Sequence, residues 1–182
     1  MENELVNTTS EATFRHPVTE DGAAMWTMAK DSEVLDLNSS YSYLLWCRDF
    51  AQSSLMAEVD GQAAGYVTGY MRPDEPGTLM IWQVAVGAGF QKRGLAAAML
   101  DELAIRTNAD RLETTITADN GASNHLFQRF AERHEADCDR EPLFTTAMYP
   151  DGHDTEYLYR IAPLGLDADL RSLNLAASNS QG

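Results

Sequence analysis

The chain of 182 residues has few of the features that mark a secreted, disulfide-stabilised or membrane-spanning protein. Its two cysteines, Cys47 and Cys138, are too few for a disulfide framework and are not spaced as zinc ligands. No apolar run approaches the ~18 residues that a membrane-spanning helix requires. The first residues are acidic and lack the apolar core of a signal peptide, so we expect a cytoplasmic location.

Positive charge is also scarce. The chain has 13 Lys and Arg residues against 28 Asp and Glu residues, a formal net charge of −15, and only Lys30 and Lys92 are lysines. Such a chain is a poor partner for nucleic acid. Two interpretations of the acidity stay open. It is typical of an ordinary soluble enzyme, or it reflects adaptation to high salt, where surplus surface carboxylate keeps a protein dissolved.

The predicted organisation is a single α/β domain over residues 12–164, with a disordered tail over 1–11 and a flexible tail over 165–182. The predicted element order is β-α-α-β-β-β-α-β-α-β-β, with Thr19 as the cap of the first helix over roughly residues 20–30. The two central strands are predicted over residues 78–86 and 111–117, and the last two strands near 143–149 and 156–161. A hairpin turn at Asp60-Gly61 requires antiparallel neighbours, while a helical crossover favours one parallel pair. We therefore expect a mixed, mostly antiparallel sheet of six to seven strands flanked by helices.

The most informative stretch is a predicted strand, loop and helix start over residues 84–96. The loop ends in Gln-Lys-Arg-Gly-Leu-Ala, with Gly94 at the corner and small Ala96 in the first helical turn. Unpaired N–H groups and the positive end of a helix dipole suit a phosphate, and small residues let a pyrophosphate approach the backbone. Lys92 and Arg93 add positive charge. The pattern predicts a pyrophosphate loop; the alternative is a tight turn without a ligand.

This loop resembles the acyl-CoA pyrophosphate loop, Gln/Arg-x-x-Gly-x-Gly/Ala, of the GNAT acetyltransferase superfamily. Two more specific motifs, Asp-Leu-Asn-Ser-x-Tyr from residue 36 and Glu-Thr-Thr-Ile-Thr-x-Asp-Asn from residue 113, resemble the L-2,4-diaminobutyrate N-acetyltransferases of ectoine biosynthesis. The resemblance covers about residues 13–162 and implies the GNAT fold. It implies acetyl transfer from acetyl-CoA to the 4-amino group of L-2,4-diaminobutanoate, which gives the precursor of the osmolyte ectoine. The family is generally homodimeric.

The resemblance also implies a cofactor site on the central strand, the loop and two helix starts: Val84, Ala85, Val86, Gln91, Lys92, Arg93, Gly94, Leu95, Ala96, Asn120, Ser123 and Phe127. A backbone N–H near Ala85 or Val86 can stabilise the thioester oxyanion. The Asn120 amide can hold the pantetheine amides, cap the next helix, or do both. Phe127 also fits the core by its helical spacing. That helix offers no tyrosine to protonate the leaving thiolate, so water is the alternative acid.

The substrate side needs a group that accepts a proton, because an alkyl ammonium with a pKa near ~10 must be deprotonated before it attacks. The resemblance places Glu156 and His153 at the substrate end, and on that basis we predict that Glu156 recognises the amine and removes the proton, directly or through water. The alternative is a solvated charge at a strand start. Asp36 is suited to bind the second ammonium group of a diamino acid, and Ser39 or Tyr41 could donate hydrogen bonds to the carboxylate of that substrate. The alternative is that Asp36 or Ser40 caps the following helix.

Two further residues complete the predicted substrate site. His153 orients Glu156 or binds substrate, unless it is an ordinary surface histidine. Trp82 is placed in the diamine pocket by the resemblance and in the core by its apolar strand, where strict alternation puts it on the face of Val84 and Val86. We expect no metal site, because His153-x-x-Glu156 is not His-Glu-x-x-His.

The expected chemistry is direct attack in a ternary complex, since neither cysteine has the surroundings of a nucleophile. Two alternatives stay open at this point. One is acetylation of another small amine or of a protein N-terminus. The other is an acetyl-CoA sensor without turnover, which would have no need for Asp36, Trp82 and Glu156 as a set.

Overall fold

A computed structural model describes residues 11–32 and 34–165. Of the two predicted tails, residues 1–10 and 166–182 lie outside the described residues. No helix of the described part is long and apolar enough to cross a membrane.

Strands and helices follow one another in the predicted order. The strands are β1 (Thr13–Arg15), β2 (Leu55–Val59), β3 (Gln62–Met71), β4 (Thr78–Val86), β5 (Arg111–Thr117), β6 (Asp137–Phe144) and β7 (Glu156–Ala162). The α-helices are α1 (Gly22–Ser32), α2 (Ser40–Asp49), α3 (Leu95–Arg106) and α4 (Gly121–Arg133). Short 3₁₀ helices cover Thr19–Asp21, Ala51–Ser53, Ala88–Phe90 and Thr146–Met148.

The strands form one mixed sheet in the order β1-β2-β3-β4-β5-β7-β6. All neighbours are antiparallel except β4 and β5, which are parallel because α3 connects them as a crossover. The β2–β3 hairpin turns at Asp60 and Gly61, both with positive φ, as a tight hairpin requires. The predicted α/β fold class and sheet are confirmed.

The sheet separates two apolar cores. On one face, α3 and α4 contribute Met99, Leu100, Leu103 and Phe130 to the larger core. On the other face, α1 and α2 contribute Met25, Ala29, Tyr43 and Cys47 to a smaller core. Since α1 and α2 cover only one end of their face, the neighbouring stretch of β4, β5 and β7 remains open. That uncovered stretch is where the cleft lies.

Two local predictions are wrong. The strand expected near residues 143–149 begins earlier, as β6, and Thr146–Met148 is a 3₁₀ helix. The sequence around β6 is exposed along almost its whole length, so it carries no alternating apolar signal. The cap expected at Thr19 is also absent. The first turn begins at Val18, whose N–H donates to Asp21 Oδ2 at 2.8 Å.

Candidate active site

The central cleft begins where β4 and β5 separate. Their parallel pairing covers Thr78↔Arg111 to Ile81↔Thr114, and beyond these residues the two strands part. The cleft has a volume of about 880 Å³. Predicted residues from both sides of the reaction line it: Asp36, Trp82, Val84, Asn120, Ser123, Phe127, His153 and Glu156.

A β-bulge in β4 shapes the substrate side of this cleft. Thr68 pairs with Gln83 while the next residue, Gly69, pairs with Ile81, so Trp82 is the extra residue. The expectation that Trp82 shares a face with Val84 and Val86 is therefore wrong, because a bulge shifts the alternation by one residue. Val84 and Val86 pack against the core under α3 and α4. The Trp82 ring instead lies 5.6 Å from the Trp46 ring of α2 and is 50% exposed to the cleft.

Asp36, His153 and Glu156 converge at the open end of the cleft. His153 Nε2 lies 3.1 Å from Asp36 Oδ2 and 3.8 Å from Glu156 Oε1. One donor atom from each side chain lies within 4.8 Å of the others, so the group could also offer ligands to a metal ion, although exposed acidic groups such as Asp36 are common without one. A cluster with two carboxylates and one imidazole is suited to an ammonium ion.

The environment of Glu156 is that of a proton acceptor. The residue opens β7, and its Oε2 atom is buried without a hydrogen-bond partner. Burial raises the pKa of the Glu156 carboxyl above its ordinary value, while the Thr115 hydroxyl and the His153 ring act in the opposite direction. A carboxylate whose pKa is shifted towards neutrality is a better base at physiological pH.

His153 is held by two neighbours besides the carboxylates. Its Nδ1 lies 2.7 Å from the Asp154 carbonyl oxygen, and the Tyr149 ring packs 4.6 Å away. The hydrogen bond to Asp154, followed by the one to Asp36, raises the pKa of the imidazole. A protonated His153 donates from both ring nitrogens, which matches this pair of acceptors.

The other predicted substrate residues lie at the start of α2. Ser39 is the N-cap residue of that helix, but its hydroxyl contacts Ser42 Oγ at 3.1 Å and caps no backbone N–H. Tyr41 is 65% exposed. Neither residue is among those that line the cleft, whereas Asp36 and Asn38 are. The alternative that Asp36 or Ser40 caps α2 is not what the structure shows, since the N-cap position is Ser39.

The predicted pyrophosphate loop has a cavity of its own. Gly94 is the N-cap of α3 with φ of 76° and ψ of 7°, a left-handed conformation that favours glycine. Next to it lies a cavity of about 280 Å³. Predicted cofactor residues that line this cavity are Val86, Gln91, Lys92, Gly94, Leu95 and Ala96. The first N–H groups of α3 have no partner within the helix, as a phosphate site requires.

Arg93 and Asn120 flank the two ends of the cofactor region. The Arg93 guanidinium packs over the Phe90 ring at 5.5 Å and donates to Gly89 O at 3.3 Å. Asn120 caps α4, and its Oδ1 accepts from Ser123 N at 3.1 Å. The capping interpretation of Asn120 is thereby confirmed, and its Nδ2 group remains available for a pantetheine amide. Phe127 is 3% exposed and belongs to the core, although it also borders the cleft.

This geometry agrees with the comparison with known proteins. Residues 18–131 match the Acetyltransferase (GNAT) family. The chain belongs to the GNAT family. The parted strands β4 and β5 and the glycine at the start of α3 both lie within the matched residues.

Similar GNAT proteins carry a more specific name. The L-2,4-diaminobutyric acid acetyltransferase of Streptomyces coelicolor is 57% identical, covering 81% of this chain and 91% of the relative. The protein of that name from Streptomyces avermitilis is 53% identical, covering 81% and 86%. A solved structure of diaminobutyrate acetyltransferase EctA from Paenibacillus lautus, in complex with L-2,4-diaminobutyric acid and coenzyme A, has a TM-score of 0.80 at 34% identity. It covers 87% of this chain and 98% of that chain. The family resemblance is confirmed.

The structure adds groups that the sequence analysis missed. Glu113, on β5, is 1% exposed, and its carboxylate lies 2.9 Å from Arg72 Nη1 and 3.2 Å from Arg160 Nε. Arg72, Glu113 and Arg160 line a different part of the cleft from Glu156. The hydrogen bonds of Gln83 were also missed, because its partners Tyr43, Tyr66 and Asp36 are distant in the sequence. The motif around residue 113 carried the only sequence signal for this ion-pair group.

Proposed function

We propose that this GNAT protein transfers the acetyl group of acetyl-CoA to the 4-amino group of L-2,4-diaminobutanoate. The observation that carries the proposal is the convergence of Asp36, His153 and Glu156 at the open end of the cleft. The cleft itself begins where strands β4 and β5 separate. Relatives of 53–57% identity named L-2,4-diaminobutyric acid acetyltransferase support the same substrate. A small diamino acid presents two ammonium groups, and this cluster offers two carboxylates.

Glu156 acts as the proton acceptor in this proposal. The 4-ammonium group binds beside its buried oxygen and gives up a proton to the carboxylate, directly or through one water. The neutral nitrogen then attacks the thioester carbonyl carbon, the C–S bond breaks as the amide forms, and the remaining excess proton on the nitrogen passes through water to the leaving thiolate. Asp36 holds the second ammonium, and Trp82 offers its ring face to it.

The backbone of β4 supports the other half of the reaction. Gly87 N donates to Ala64 O on β3. Because such groups alternate along an antiparallel strand, the N–H groups of Val86 and Val84 are directed to the edge that β5 has left. Of the two predicted oxyanion donors, this alternation favours Val86. The proposed pantetheine contacts are Val84, Ala85, Asn120, Ser123 and Phe127, and water protonates the thiolate.

The wider setting follows from that substrate. We assign the product, N4-acetyl-L-2,4-diaminobutanoate, to the synthesis of ectoine and hence to osmoprotection, in the cytoplasm. The net charge of −15 is consistent with work at raised salt. We also propose a homodimer. Apolar side chains exposed around the start of α2 and the end of β6, including Tyr41, Leu44 and Phe144, offer a surface for it.

The deciding experiment measures thiol release from acetyl-CoA with a panel of amines. The panel contains L-2,4-diaminobutanoate, its one-carbon-shorter and one-carbon-longer homologues, and a peptide with a free N-terminus. Release with diaminobutanoate at a kcat/KM at least tenfold above the other amines supports the proposal. Preference for the peptide or for another amine contradicts the substrate, and binding of coenzyme A without release with any amine points to a sensor.

A further inference from the structure

Gln83 is a buried polar residue beside the substrate site that the reaction steps above do not use. Its side chain lies on β4, directly after the bulge, and the residue is 7% exposed. Its Oε1 atom accepts hydrogen bonds from the Tyr43 hydroxyl at 3.2 Å and the Tyr66 hydroxyl at 3.0 Å. Its Nε2 atom donates to the Asp36 carbonyl oxygen at 2.9 Å. A single amide therefore joins α2, β3, β4 and the segment before α2.

The two tyrosines determine which way this amide points. Tyr43 and Tyr66 are 2% and 0% exposed, and both lie in the smaller core. Burial raises the pKa of the Tyr66 hydroxyl, which therefore remains a donor. Two hydroxyl donors require the carbonyl oxygen of the amide on their side, so the NH₂ group must face Asp36 O. The orientation of the Gln83 amide is thus set by the core rather than by the exposed segment.

Apart from the Asp36–His153 contact and the packing of Leu35 against the smaller core, the segment that Gln83 contacts is lightly held. Described residues between α1 and α2 form bends and coil, and the Asp36 side chain is 81% exposed. Inside the segment, Leu35 N donates to Ser32 Oγ and Asn38 Nδ2 reaches Asp36 O at a long 3.4 Å. Within the described part of the chain, the hydrogen bond from Gln83 ties the Asp36 backbone to the sheet.

We propose that Gln83 is a positioning residue for diamine binding, whose amide holds the Asp36 backbone so that the Asp36 carboxylate stays opposite His153 and Glu156. The inference rests on the proposed function, in which Asp36 binds the second ammonium. The β4 bulge makes it feasible, since it turns both Trp82 and Gln83 towards the face that carries α2. Because of the bulge, two adjacent residues act on the same pocket: Trp82 lines it, and Gln83 holds the Asp36 backbone beside it.

The first test separates positioning from general stability. In Gln83→Met, which keeps the length of the side chain, we expect the KM for diaminobutanoate to rise about tenfold, the effect of one lost hydrogen bond of ~1.4 kcal/mol. The kcat at saturation and the KM for acetyl-CoA should stay within about twofold. The matched control is Ser53→Ala, which removes a buried hydrogen bond of 2.7 Å to Gly69 O on β3, outside the substrate site. It should lower the melting temperature without a change in either KM.

A double-mutant cycle gives the second readout. Because Gln83 acts through Asp36, the Gln83→Met change should add less than about twofold to the diamine KM when Asp36 is already alanine. Equal effects in the two backgrounds would overturn the positioning role. A fall in kcat matched by a rise in both KM values would also overturn it, because a general loss of structure gives that pattern.

The third readout does not depend on turnover. The groups that face the His153 ring are Asp36, Glu156, the Tyr149 ring and the Asp154 carbonyl. When Asp36 moves away in Gln83→Met, the His153 pKa measured by NMR should fall towards that of Asp36→Asn. A His153 pKa equal to that of the wild type would contradict the proposal. If the wild type fails to acetylate diaminobutanoate, the proposed function fails, yet this titration still decides whether Gln83 holds Asp36.

Discussion

Asp36 and His153 are 117 positions apart in the chain, yet His153 Nε2 lies 3.1 Å from Asp36 Oδ2. The contact joins the segment before α2 to the loop before β7 across the cleft. Replacing Asp36 with alanine should raise the KM for diaminobutanoate by about three- to tenfold, a value reduced by the exposure of this carboxylate to water. Steady-state kinetics with both substrates measures it. Unchanged diamine affinity would exclude Asp36 from the substrate site.

Glu156→Gln should lower kcat by about 10²- to 10⁴-fold, because the amide cannot accept the ammonium proton. In the wild type, burial raises the pKa of the Glu156 carboxyl, so kcat/KM should begin to fall at a higher pH than an ordinary glutamate would give. Activity should therefore fall as the pH drops through that pKa, and this fall should be missing from the residual activity of the variant. A variant with the wild-type profile over pH 6–9 would remove Glu156 from the mechanism.

The same raised pKa has a consequence for stability with a definite sign. A carboxyl with a raised pKa in the folded state favours folding while it is protonated, and this contribution is lost as the pH rises through the folded-state value. Glu156→Gln stays neutral at all pH values. Its melting temperature relative to the wild type should therefore increase from pH 4 to pH 8, which differential scanning calorimetry can follow. A decrease over that interval would contradict the burial of a charged Glu156.

Gly94→Ala should weaken coenzyme A binding and lower stability by about 1 kcal/mol, since a side chain is strained at a φ of 76°. Gly89→Ala is the matched control in the same loop. A Cβ added at Gly89 meets no atom within 4 Å, and its φ is not in the left-handed region. Calorimetric titration with coenzyme A should show weaker binding for the first variant alone. Equal binding by both variants would argue against a phosphate at the start of α3.

Glu113→Gln should destabilise the fold by about 2 kcal/mol, because the buried carboxylate is hydrogen-bonded to two arginines. The arginines are partly exposed and keep Glu75 and Glu141 as partners, which limits the loss. The control is Glu141→Gln, which removes an exposed partner of the same Arg160 and should cost under about 0.5 kcal/mol. Urea unfolding measures the free energy of unfolding of both variants. An equal decrease in the two would mean that the burial of Glu113 contributes little to stability.

Local patterns were sufficient to predict most of the fold. Apolar strands next to turn residues predicted β4 and β5 to the residue, and the Asp60-Gly61 pair predicted the β2–β3 hairpin. The pattern failed at β6, because an exposed edge strand has no buried face to generate alternation. It also failed at Trp82, because a bulge depends on the partner strand rather than on the residue itself.

The site was predictable only where a motif carried it. Asp36, Trp82, His153 and Glu156 came from resemblance, and the structure brings all four to one cleft. Ser39 and Tyr41 belong to the same sequence motif as Asp36, but neither residue lines the cleft. Gln83 and the Arg72–Glu113–Arg160 group escaped notice because their partners lie far away in sequence, and long-range hydrogen bonds leave no periodic trace.

The extra residue in β4 determines which deletions the strand can absorb. Removing Trp82 would restore a regular pleat and leave Gln83, Val84, Ala85 and Val86 on their present faces, because one residue would then separate Ile81 from Val84. Removing Val84 instead would turn Ala85 towards the apolar layer beneath α3 and Val86 away from it. Deletion scanning should therefore find the strand more tolerant at the bulge than directly after it.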